Sequence, residues 1–156
     1  MKRIAIISLA LVGACSGAPF EFRGYTNTAT CREVIAAEKR YGTVARVRSE
    51  EVPRLGKAEI TELTVDLFGR PAGAAVACFT SGVVDVHYTL PSSPAGEQSF
   101  DWLSGELRKQ FGNWSEQPST TGRIRTFVCG VPATVRLVEK PDAQAELFVA
   151  PRPGVC

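Results

Sequence analysis

Within the run Ile60 to Phe68, apolar side chains recur at every second position from Leu63 to Leu67. Leu63, Val65 and Leu67 fall on one side, and Glu62, Thr64 and Asp66 on the other. That period puts the two sets on opposite faces of a strand, one buried and one wet. Gly69-Arg70-Pro71-Ala72 reads as a turn, and 74–80 and 83–90 as two further strands about a Ser81-Gly82 hairpin signal. Pro91–Gly96 breaks the pattern, and three more strands are expected over 123–129, 133–139 and 145–150. So many short alternating runs constrain the chain to pair them as antiparallel sheet.

Two helices interrupt the strands. Thr30-Cys31-Arg32-Glu33 has the Thr-x-x-Glu form of a capping box, predicting a helix to Tyr41 that Gly42 stops. Ser99 is placed to cap a second, in which Phe100, Leu103, Leu107 and Phe111 share one side before Gly112. Trp102 falls off that stripe. Residues 43–58, containing Glu50, Glu51, Pro53 and Gly56, read as a charged connection, and 113–122 as a polar loop. The fold class is therefore α+β, with two α-βββ units over 30–90 and 99–156. Each is an antiparallel meander with a helix packed on one face. An offset of 70 residues aligns Tyr41-Gly42 with Phe111-Gly112 and Thr64-Val65-x-Leu67 with Thr134-Val135-x-Leu137, consistent with an internal duplication.

The N-terminus has its own logic. Met1-Lys2-Arg3 is basic, Ile4 to Val12 is apolar apart from Ser8, and Gly13-Ala14-Cys15-Ser16-Gly17 is small. This order describes a signal peptide, and the run is too short to span a membrane. Val12-Gly13-Ala14-Cys15 resembles the lipobox of bacterial lipoproteins, with Val where Leu is commoner. The resemblance implies cleavage after residue 14, acylation of Cys15, and a lipidated tether over 15–29 carrying an α+β periplasmic domain over 30–156. Ser16 at the second position implies the outer membrane. Ser16-Gly17-Ala18 is the alternative, an ordinary signal-peptidase site. Removing Lys2 and Arg3 from 18 basic residues leaves 16 against 16 acidic ones, so nothing suggests a nucleic-acid partner.

Of five cysteines, Cys15 is assigned to lipid. Cys31, Cys78, Cys129 and Cys156 remain, an even number in an exported domain and hence two disulfides. Chain proximity favours Cys31–Cys78 with Cys129–Cys156. A two-residue Ser81-Gly82 turn, however, turns Cys78 away from the helix bearing Cys31, and a one-residue slip restores the pairing. The lone His87 and the absence of a CxxC argue against zinc, and no metal or cofactor is expected.

A two-residue turn at Gly130-Val131 would set Arg125 opposite Arg136. A three-residue loop at Pro141–Ala143 would set Leu137 opposite Leu147 and Arg136 opposite Phe148. Arg123, Arg125, Phe127, Arg136 and Phe148 then share the face away from the helix. Arginine beside aromatics is enriched at interface hot spots, which makes these five the candidate binding surface. Cys78, Asp85 and His87 form the sole candidate constellation for proton transfer or nucleophilic chemistry, and no enzyme motif accompanies them.

The element order resembles that of the beta-lactamase-inhibitor-protein fold, and single units resemble the small lipoproteins of outer-membrane barrel assembly. Both resemblances imply binding to other proteins without catalysis. The expectation is a lipid-anchored envelope protein, not an enzyme, with a protein partner in envelope assembly or enzyme inhibition. The alternative is an anionic ligand on Arg123, Arg125 and Arg136.

Overall fold

The computed structural model describes residues 20–92, 98–120, 122–128, 133–141 and 144–151. Its elements are β1 (Glu21–Phe22), β2 (Tyr25–Thr26), α1 (Cys31–Glu38), β3 (Gly42–Val52), β4 (Gly56–Leu67), β5 (Arg70–Phe79) and β6 (Val84–Leu90). Then follow α2 (Ser99–Phe111), β7 (Ser115–Ser119), β8 (Gly122–Val128), β9 (Thr134–Glu139) and β10 (Ala145–Ala150). β1 and β2 form a small hairpin; the rest make one antiparallel sheet in the order β3-β4-β5-β6-β10-β9-β8-β7. Two meanders thus meet edge to edge through β6 and β10, where Tyr88 faces Leu147 and His87 faces Phe148.

Two neighbouring rows across the sheet describe its two sides. One row runs Val44, Leu63, Ala74, Tyr88, Leu147, Leu137, Arg125, Glu116. Its central members join Val34 and Ala37 of α1 and Phe100, Leu103 and Leu107 of α2 in one core. The other row runs Arg46, Glu62, Ala75, His87, Phe148, Arg136, Thr126, Ser115, on the side that neither helix covers. Antiparallel sheets tolerate this one-sided cover because their strands can alternate apolar and polar residues.

The capping box on α1 forms: the Glu33 backbone N–H donates to Thr30 Oγ1, and the Thr30 N–H donates to the Glu33 carboxylate at 2.7 Å. α1 ends at Glu38, short of Tyr41, and Gly42 opens β3 instead of capping the helix. A side chain at Gly42 would place its Cβ 1.9 Å from the Thr64 carbonyl oxygen and 2.7 Å from Val65 Cα. Backbone cannot yield as a side chain can, so Gly42→Ala is expected to cost at least about 2 kcal/mol in a denaturant titration. Ser99 is the first residue of α2 and donates its hydroxyl to the Pro91 carbonyl, so Gln98 occupies the cap position; Gly112 ends the helix at φ 81°.

Four strands follow each helix where three were expected. Residues 43–58 are β3 and the start of β4, and 115–119 of the expected polar loop form β7. Both added strands are sheet edges with little burial, so neither shows the alternation that betrays a half-buried strand. The 70-residue offset lays Val65 in the second strand of one meander on Val135 in the third of the other, so it does not relate equivalent strands. The tether expected over 15–29 does not extend through its second half. Phe20, Phe22, Tyr25 and Ala29 are core residues, and Phe22 lies 6.1 Å from the Phe111 ring of α2. Arg23 and Gly24, both at positive φ, make the two-residue turn that aims Phe22 and Tyr25 inward.

Candidate functional site

The open side of the sheet is chemically uneven. Near the β4–β5 end, Ala58, Ile60 and Phe79 bury one another, with Val52, Ala75, Ala77 and Val83 alongside. At the β6–β10 seam the His87 and Phe148 rings stack, with centroids 4.5 Å apart and planes 6° from parallel. Arg136, the cross-strand partner of Phe148, is exposed. Glu146 Oε2 lies 3.7 Å from His87 Nε2 and 3.3 Å from Lys140 Nζ. Burial lowers the His87 pKa, and Glu146 opposes that shift; burial also raises the carboxyl pKa of Asp85. At the far edge Arg46 and Arg48 both donate to Glu62, whose carboxyl they hold down to about 2.

The five residues assigned to one binding surface do not share a face. Arg136 and Phe148 stand on the open side, in the β9–β10 register that the sequence predicted. Arg123, Arg125 and Phe127 lie on the helix side, because β8 pairs Arg125 with Leu137 rather than with Arg136. The register is one residue from the expected one, and a further irregularity falls between Thr126 and Val128. The partners waiting on the helix side explain the choice. Arg125 reaches Asp101 at 3.2 Å, Ser104 at 2.7 Å and Glu116 at 2.7 Å, beneath the Trp114 and Phe100 rings. Arg123 reaches Glu139 at 2.9 Å and Asp101 at 3.2 Å, its guanidinium 4.6 Å from the Phe100 ring centroid. These arginines fasten α2 and β7 to the sheet. Trp102 is half-buried against the core, with Arg70 stacked 3.9 Å from its ring centroid.

Cys31 and Cys78 form a disulfide, with Cα atoms 5.7 Å apart. The slip that this needs is present: Cys78 pairs with Val84, not Asp85. Gly82 at φ 84° donates its N–H to the Phe79 carbonyl, and Thr80-Ser81-Gly82 makes a three-residue turn. Cys78 therefore stands on the helix side while Asp85 and His87 stand on the other, and the three never assemble. Cys15, Cys129 and Cys156 lie outside the described residues, as do the expected lipidation and the second disulfide.

A polar cluster absent from the sequence reading sits under β1–β2. Glu38 is wholly buried; it accepts from Arg23 Nε at 3.1 Å and from the Tyr88 hydroxyl, which lies 3.2 Å from the Tyr25 hydroxyl. Arg23 also donates to the Asp66 carbonyl at 2.8 Å and stacks 3.9 Å from the Tyr41 ring centroid. Burial raises the Glu38 carboxyl pKa against the opposing pull of Tyr88 and Arg23, and burial raises both tyrosines. The signal was available: Glu38 is four residues after Val34, on the apolar side of α1.

Among the described residues no three His, Cys, Asp or Glu side chains are grouped to hold a metal, and no helix is long and apolar enough to cross a membrane. The architecture defines an α+β class with one eight-stranded antiparallel sheet and two helices on a single face. No family model, curated protein or solved structure matches the chain.

Proposed function

We propose that this chain is a lipid-anchored cell-envelope protein that works by binding another protein through the open side of its sheet, as an assembly factor or an inhibitor. The observation that carries the reading is the His87–Phe148 stack beside exposed Arg136, at the centre of a face that no described helix covers. A stacked aromatic beside an exposed guanidinium offers apolar area and bidentate hydrogen bonding. The basic, apolar and small segments ending at Cys15 support the anchor, and the Cys31–Cys78 bridge fits an oxidising compartment. The anionic-ligand alternative loses its geometry, since Arg123 and Arg125 are engaged by Asp101, Glu116 and Glu139.

Crosslinked affinity capture from native envelopes tests this. The wild type should recover one near-stoichiometric protein, and its N-terminal peptide should be an acylated Cys15. Arg136→Glu combined with Phe148→Ala should lose that protein while retaining the wild-type unfolding transition. Undiminished capture by the folded double variant would place the contact elsewhere.

A further inference from the structure

The two edges of the sheet are built differently. β7 is a five-residue strand containing Pro118, which lacks the N–H that a new strand would use. β3 is eleven residues long, contains neither proline nor lysine, and exposes Val44 and Val47 at 40% and 56%. Among the described residues nothing pairs with its outer edge. A long unpaired edge is a template for another strand.

We propose that β3 pairs antiparallel with β3 of a second copy, about a two-fold axis at Ser49, giving a dimer with one continuous sheet. Directly opposed residues in such a pair lie on the same face, so the axis must pass through a residue and not between two. Charge then selects which. An axis at Val47 opposes Arg46 to Arg48 twice. An axis at Arg48 or Glu50 opposes that residue to its own copy. Only an axis at Ser49 sets Arg48 against Glu50 of the other copy, twice, with no like charges directly opposed.

The backbone agrees independently. The bulge in β3 lies between Val44 and Arg46, and the strand ends at Val52. The unbroken run Arg46–Val52 is centred on Ser49, so the register chosen by charge uses that run and stops where the bulge begins. Arg46, Arg48 and Glu50 have side chains 63%, 39% and 47% exposed. Within the chain Arg46 and Arg48 pair with Glu62 and Arg48 also pairs with Glu50, so the register adds the other copy's Glu50 as a further partner for each Arg48. The contact is isologous and closed, so it yields a dimer and not a fibre. It uses the strand edge and leaves His87, Arg136 and Phe148 free on both copies.

The test is sedimentation equilibrium of the purified chain, Arg48→Glu, Glu50→Arg and an equimolar mixture of the two variants. The wild type should dimerise reversibly. Each variant alone opposes like charges twice and should dimerise about tenfold more weakly. In a mixed dimer the two substituted side chains face each other with opposite charges, and the remaining native Arg48 faces the remaining native Glu50. The mixture should therefore recover wild-type association to within about threefold, by the same cross-strand pairing. The recovery also excludes misfolding as the cause of the weakening. A wild type that stays monomeric, or a mixture no tighter than either variant alone, would overturn the proposal.

Discussion

Replacing Cys31 and Cys78 together by alanine is expected to lower the unfolding free energy by about 4 kcal/mol, the chain-entropy value for a bridge closing this loop. The bond joins residues 47 apart, so its loss frees a long segment of the unfolded chain. α1 is short and has one fully buried apolar pair, Val34 and Ala37, so the bridge carries much of its attachment to β5. Against a total of about 5–15 kcal/mol for an ordinary domain, the loss should move a urea midpoint far to the left. A change below about 1 kcal/mol would show that Glu38 and the β1–β2 hairpin hold α1 without it.

Glu38→Ala is the second large effect, about 3–5 kcal/mol, because it strands the Arg23 guanidinium with its side chain only 6% exposed. The pH dependence has a definite sign. The folded carboxyl titrates above its ordinary 4.5, so the folded protein holds its proton more tightly than the unfolded chain does. The stability from that proton is fully present below about pH 4.5 and declines as pH rises through the elevated folded value. Glu38→Gln cannot titrate. The stability of wild type relative to Glu38→Gln should therefore fall as pH rises from 4.5, measured by urea unfolding at successive pH values. A difference that grew with pH would mean that Arg23 outweighs burial at this carboxyl.

The sequence was legible where one local cause acted alone. Leu137 and Leu147 alternate on short strands joined by a short loop, and their register came out as the pattern required. Thr30 and Glu33 capped α1 because each satisfies the other's backbone group within one turn. The sequence was illegible where a strand had no strongly preferred side. In Arg123-Ile124-Arg125-Thr126-Phe127 either phase buries something apolar, so Asp101 and Ser104 on a distant helix decided it. β3 was missed because an edge strand exposed on both faces carries charge on both.

What the sequence alone determined is the antiparallel α+β character, the positions of both helices, and the Cys31–Cys78 pairing once a one-residue slip was allowed. All follow from periodicity, caps and composition, which act over a few residues. The tertiary structure decided which arginines face the helices, where β1–β2 docks, and how Arg23, Tyr25, Glu38 and Tyr88 meet. Those outcomes depend on groups brought together across as many as 89 positions, where one residue of register decides whether a charge meets solvent or a buried partner.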